Sequence, residues 1–246
     1  MTPTLIVIVI LAVTTFTNIL IPMSGSATVT PLLALVVEPH KAIGLASFLF
    51  VLSGIVRVWV FRHDIRWSYV KQLLIPSLAG AVVGALALVA IPPRVLLGLV
   101  LAFVIYFFIK TARNVAERPA TPSRLTTWTG HFVGLFSGVL QGAGISGSDV
   151  RASFLYSEHL NLLEVRGTAS FVGTANFLLA TMIRLATGQL SVPDLMPLIW
   201  LFPVIAAAVL LGRHVLHQID KKYSRPFTLL LMAVIVILLV ERLIAG

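Results

Sequence analysis

The chain reads as an all-α integral membrane protein made of two inverted repeats. Each repeat is a broken or re-entrant helix pair plus three transmembrane helices, about eight long apolar segments in all. Three observations predict this. The sequence is 58% hydrophobic and only 11% charged, with a mean hydropathy of +1.01, outside the range of soluble domains. Its apolar residues run in charge-poor stretches that approach the roughly 20 residues a helix needs to cross about 30 Å of hydrocarbon. Two distant stretches also share one pattern: a Gly/Ser break, a short apolar piece, a polar elbow, then a Gly-small-Ser step into a long apolar segment. The steps are Gly44-Leu45-Ala46-Ser47 and Gly167-Thr168-Ala169-Ser170.

The first repeat spans 1–112. Thr2–Ile21 is its first long run, and Ser24-Gly25-Ser26 is the break. The short piece Ala27–Val37 cannot cross alone. Pro31 suits the first turn of a helix starting near Thr28, because its missing N–H is unpaired there anyway. After the elbow Pro39-His40-Lys41 come three long segments, Ala42–Val56, Gln72–Ile91 and Val95–Ile109. The sustained hydrophilic stretch Lys110–Thr127, rich in Pro, Ser and Thr, is a loop, and 113–127 is the cytoplasmic linker. The second repeat, 128–246, breaks at Gly144–Ser148, continues through the short piece Ser148–Tyr156, and enters a long segment past Gly167. It ends in Val192–Gly212 and Pro226–Val240. The runs are continuous, not alternating, which excludes a β-barrel.

Charge sets the expected topology. If each break is a mere kink, the basic loops fall on both faces. If each broken pair turns back, or counts as two crossings, then Arg62, Arg66, Lys71, the linker, Arg166, Arg213, Lys221, Lys222 and Arg225 share one face. Lys41, Arg94, Arg184 and Arg242 remain on the other. That is the positive-inside pattern, with both termini outside. Trp67, Tyr69, Trp128 and Tyr223 stand beside the basic loops as interfacial aromatics. The net charge of +9 therefore points to the lipid bilayer as partner and not to nucleic acid. No Lys or Arg precedes Lys41, so the first apolar run is expected to be retained and not cleaved as a signal peptide. There are no cysteines, which removes thiol chemistry and Cys-ligated metal.

The breaks are where chemistry is expected. A helix that starts inside a membrane points unpaired N–H groups and a positive partial charge at its start, and so favours an anion. Two such starts, near Gly25–Thr28 and Gly147–Arg151, would make a midplane anion site. The candidate binding residues are Ser24, Gly25, Ser26 and Thr28 in the first half, and Gly144, Ser146, Gly147, Ser148, Asp149 and Arg151 in the second. The glycines allow close approach and the hydroxyls add donors; equally, these residue types are ordinary turn and cap residues. Arg151 and Asp149 are costly in a bundle interior. Arg151 offers a fork for an anionic head group. Asp149 is a helix N-cap, a proton-coupling site or a partner of Arg57. Ser53 and Asn176, each nine residues past the Gly step, are expected near mid-membrane; Asn18 precedes the first break. Arg57 and Arg184 lie near helix ends and are expected to snorkel. Gly80 and Gly84 form a small-xxx-small surface for packing within the bundle or in a homodimer.

The residues Gly25, Pro31-Leu32-Leu33, Pro39-His40-Lys41, Ile43-Gly44 and Ser47 carry a resemblance. So do the second-half stretch Gly134–Ser148 and Val165-Arg166-Gly167-Thr168-Ala169-Ser170. Over nearly its whole length the chain resembles the sulfite exporter TauE/SafE family of membrane permeases. The resemblance implies a small anionic substrate, sulfite or an organosulfonate, and a place in the plasma (inner) membrane. Two departures stand out. The first-half glycine cluster is reduced to Ser24-Gly25-Ser26-Ala27, and Asp149 and Arg151 replace small or apolar residues and a proline. Two other classes compete. Gly144–Gly147 looks like an intramembrane serine protease motif, but the downstream histidines His159, His214 and His217 fall in an elbow and a basic loop. The same loop, with Asp220 beside Lys221 and Lys222, makes a poor metal site. A non-transporting scaffold explains the repeat but not the paired breaks. No enzyme activity, catalytic residue, metal or cofactor is expected.

Overall fold

The computed structural model of the protein describes residues 26–112, 127–145, 147–215 and 221–245. Among them are ten α-helices and one short 3-10 turn, Arg62–Asp64. In chain order the helices are α1 Ser26–Val36, α2 Pro39–Val60, α3 Trp67–Val89, α4 Pro93–Ala112, α5 Thr127–Gly142, α6 Ser148–Ser157, α7 Leu162–Ala186, α8 Val192–Ile199, α9 Phe202–Val215 and α10 Lys221–Ala245. Of these, α2, α3 and α7 are long and apolar enough to cross a membrane, and α8 with α9 would add a fourth span. Thr2–Ile21, Asn18 and the break residues Ser24 and Gly25 lie outside the described residues.

Both short pieces are short helices, of 11 and 10 residues. Two local expectations fail. Helix α1 starts at Ser26, so Pro31 stands inside it and not in its first turn; its missing N–H leaves the Ala27 carbonyl without the usual helical donor. The run Val192–Gly212 is not one straight span: α8 and α9 meet at a bend of 49°. Pro203 has no N–H to give the Ile199 carbonyl, and Pro197 weakens the turn before it, so the ladder stops between them.

The helices form two compact units, each drawing on both halves of the sequence. One comprises Met1–Ala46, Ile91–Val115 and Val192–Gly246; the other comprises Ser47–Ala90 and Ala116–Ser191. In the first unit α4 packs on α10, with Phe107 against Met232. Polar ties gather at one end. Arg242 donates to the carbonyls of Ala34 and Val37 that close α1, where a cation meets the negative end of a helix. His40 Nε2 lies 3.0 Å from the Ile91 carbonyl, and Lys41 pairs with Asp194 at 2.6 Å. Lys41, Arg242 and Arg94, in the first turn of α4, thus share an end of this unit.

The second unit carries the candidate site. Its central contact is α3 on α5. Lipid tails are as apolar as leucine, so burying apolar area gives helices in a membrane little reason to associate; close van der Waals packing must do it. Glycine supplies that here. A Cβ on Gly134, Gly138 or Gly142 of α5 would strike the backbone of Leu73, Ser77 or Ala81 on α3. In return, Gly80 and Gly84 of α3 press on the backbone of Leu135 and Val139. The small-residue face of Gly80 and Gly84 is therefore spent inside the unit. The paired numbers rise together, so α3 and α5 run in the same direction. Helix α7 joins them in parallel: Thr168 Oγ1 accepts from the Arg66 amide at 3.0 Å, and Asn176 meets Ser77. Helix α2 runs against α7, with Phe50 and Phe177 rings 4.9 Å apart and Ser47 bonded to Arg184.

Helix α6 turns back. Gly147 sits on the Ser137 backbone, while Phe154 and Leu155 pack with Ile65, Val70 and Leu73 near the start of α3. Tyr69 donates to Glu158 at 3.1 Å. The pair α5–α6 is thus a hairpin whose two limbs open at the same end of the unit. Asn161 then starts α7 with a capping box, its side chain accepting from the Leu163 and Glu164 amides, and Glu164 pairs with Arg66. Arg62, Arg66, Lys71 and Arg166 all lie towards this end, next to the start of α5 that follows the linker. Trp67 and Trp128, 54% and 83% exposed, stand there as expected of interfacial aromatics.

Candidate functional site

The hairpin carries one wholly buried arginine, Arg151, on the first turn of α6. Gly147 takes the N-cap position, with no side-chain cap bond, so Asp149 is not the cap; it stands half-buried in the first turn, where its charge suits the helix dipole. Gly144, before the break, has φ +78°, a conformation in which a side chain is strained. The tip is built by glycine for backbone reasons: Gly144 for its angle, Gly147 for its contact with Ser137.

Around Arg151 lies a cluster of neutral polar groups. Nη1 donates to Gln141 Oε1 at 2.8 Å and to Ser137 Oγ at 3.3 Å, both on α5. Gln141 Oε1 also accepts from Asn176 Nδ2 of α7 at 2.8 Å. Asn176 Nδ2 donates to Ser77 Oγ of α3 at 2.5 Å as well. Ser77, Ser137, Gln141, Arg151 and Asn176 are all buried. Ser77 and Asn176 stand near the middle of α3 and α7, helices about 35 Å long at 1.5 Å per residue. The cluster is therefore near mid-length of two helices long enough to cross a membrane, where a charge would be most costly.

The guanidinium is incompletely satisfied. Arg151 Nε and Nη2 are buried without a hydrogen-bond partner, as is Asn176 Oδ1. The hydrogen bonds of Arg151 go to neutral groups, and the Asp149 carboxylate, two residues earlier on α6, acts on its charge through space. Nε and Nη2 form the side-on edge of the guanidinium, the edge that takes two oxygens of one oxyanion in parallel. Gly173 on α7 makes room for it: Arg151 Nη2 would lie 3.1 Å from a Cβ at that position.

The structure thus brings Arg151 and Asn176 together, through Gln141. Gln141, Ser77 and Ser137 were not among the expected residues. Ser148 opens α6 and is half-buried beside the same tip. Ser53 is buried, but its hydroxyl donates to the Phe50 carbonyl of its own helix at 3.3 Å. Thr28 is buried in α1, which belongs to the other unit. Ser26 begins that helix. Ser146 lies outside the described residues.

Arg184 overturns its expectation. It does not snorkel; it is fully buried. One terminal nitrogen donates to Ser47 Oγ at 2.9 Å and the other to the Gly142 carbonyl. A cation thereby caps the C-terminal end of α5 at the hairpin tip.

Comparison with known proteins returns one result of consequence. The family profile described as "Sulfite exporter TauE/SafE" matches residues 6–239. Comparisons with curated proteins and with solved structures give no match.

Proposed function

Because this multi-pass integral membrane protein belongs to the TauE/SafE sulfite exporter family, a family of membrane transporters, we propose that it is an anion permease of the plasma (inner) membrane. Its substrates are small sulfur-containing or organic anions, moved by alternating access. The substrate binds where the α5–α6 hairpin presents the start of α6 and the free edge of Arg151. In a bilayer this hairpin is a re-entrant element, entering and leaving by one face.

The observation that carries the reading is the state of Arg151. It is 0% exposed, hydrogen-bonds neutral groups through Nη1, and has two nitrogens without an acceptor. A buried cation left in that state is expensive unless an anion spends part of the working cycle beside it. The positive end of the α6 dipole adds to the same field.

Proteoliposomes test this. Wild-type protein should exchange sulfite and small sulfonates across the membrane, and Arg151→Gln should lower their apparent affinity by at least about tenfold, the order expected for losing a charge-assisted pair. Transport of all tested anions at wild-type affinity by Arg151→Gln would place the pathway elsewhere.

A further inference from the structure

The amide orientations in the cluster are dictated by Arg151. A guanidinium only donates, so the Gln141 atom 2.8 Å from Nη1 is its oxygen. That oxygen also lies 2.8 Å from the Asn176 amide, which must therefore turn its NH2 towards it. Turning Asn176 over would set oxygen against oxygen. The same NH2 has a second acceptor in Ser77 Oγ. Both Asn176 protons are thus used, and Oδ1 is left buried with no donor.

An unmet acceptor therefore stands beside the unmet donors of Arg151. Arg151 and Asn176 bond the same Gln141 oxygen, and Nη2 lies over Gly173, one turn before Asn176 on α7. The two thus belong to one cluster, joined through Gln141. We propose, building on the anion reading above, that the ligand is an oxyanion that also carries a hydrogen-bond donor. Its deprotonated oxygens take the Nε–Nη2 edge of Arg151, and its O–H or N–H donates to Asn176 Oδ1. Hydrogensulfite and hydroxy- or aminosulfonates meet both demands. The sulfite dianion and plain alkanesulfonates bring acceptors alone and leave Asn176 Oδ1 unsatisfied or facing another oxygen. A buried group built to bond a hydroxyl discriminates strongly against an analogue lacking it.

The test uses two anions of equal charge and nearly equal size, 2-hydroxyethanesulfonate and propane-1-sulfonate. Their Kd values are measured by calorimetry on the full chain in detergent. Wild-type protein should bind the hydroxy compound at least about tenfold more tightly, the cost of one buried acceptor left unpaired. Asn176→Leu, which removes that acceptor, should bring the two affinities to within about threefold. If this variant does not fold, the wild-type ratio alone decides. Equal wild-type affinities, with Arg151→Gln still weakening both anions, would overturn the donor requirement and leave the Arg151 reading standing. Failure of both anions to bind, together with no effect of Arg151→Gln on sulfite exchange, would overturn both.

Discussion

Arg151 and Arg184 are both fully buried in one unit, and they differ in what their nitrogens still lack. Arg184 has both terminal nitrogens bonded, to Ser47 and to the end of α5, and lacks a partner only at Nε. Arg151 has its whole side-on edge unmet. The first is therefore a clamp on the hairpin tip, and the second keeps open the edge that the proposed anion would take. Arg184→Gln should lower the thermal unfolding temperature in detergent, because it releases a helix C-terminus from its cation, a contribution of about 0.3–2 kcal/mol. It should leave sulfonate affinity within about threefold. A variant that unfolds normally but loses affinity would make Arg184 part of the binding site. Arg151 and Asn176 were legible in the sequence, because a charge and an amide stand out in apolar segments. Gln141 and Ser77 were not: a lone glutamine or serine in such a helix usually signals packing. Only the parallel arrangement of α3, α5 and α7 turns them towards one point. Arg184 was misread for the same reason. Its place near a helix end predicts snorkelling, but the tip of a hairpin distant in sequence supplies acceptors inside.

At the scale of elements, the break itself was legible and its route was not. Glycine and serine after an apolar run announce that a helix stops. They do not say which way the next helix runs; Gly147 on Ser137 and Phe154 near Val70 fold α6 back along α5. The contact also changes what a Gly147 variant would mean. A Cβ there meets the Ser137 carbonyl, so a bulky replacement disturbs the hairpin before it touches any ligand. The glycine stripe of α5 makes the sharper test. Gly138→Leu should abolish folding or membrane insertion, because its side chain has only Ser77 backbone to displace, and overpacking typically costs about 1–3 kcal/mol, more where backbone must move. Gly98→Ala, on α4, should be neutral or slightly stabilising, since among the described residues nothing outside its own turn of helix lies within 4 Å of its Cβ position. Yield of monodisperse protein in detergent reads both. Normal yield for Gly138→Leu would show that α3 and α5 do not need that contact. The bend between α8 and α9 escaped the sequence reading because hydropathy counts residues and is blind to a missing N–H at Pro203.

For the whole molecule, the proposed orientation rests on where the basic residues gather. In one unit Arg62, Arg66, Lys71 and Arg166 lie towards the end where α5 follows the linker. In the other, Lys41 and Arg242 share an end through contacts with Asp194 and the close of α1, and Arg94 follows Ile91, whose carbonyl meets His40 there. Helix α2 carries Lys41 at its start and leads to Arg62 just past its finish. The first group and the linker hold more positive charge, and positive charge favours the cytoplasmic face. A returning α5–α6 hairpin adds no net crossing, which is the condition for the second half to be inverted relative to the first. The chain has no cysteine, so single introduced thiols report cleanly. Ser123→Cys in the linker and Ser224→Cys in the second basic stretch should both react with an impermeant maleimide only from the cytoplasmic face. Ala90→Cys, exposed just after α3, should react from the opposite face. Labelling of Ser123→Cys and Ser224→Cys from opposite sides would mean that one broken pair crosses fully, and the two halves would then not be inverted copies.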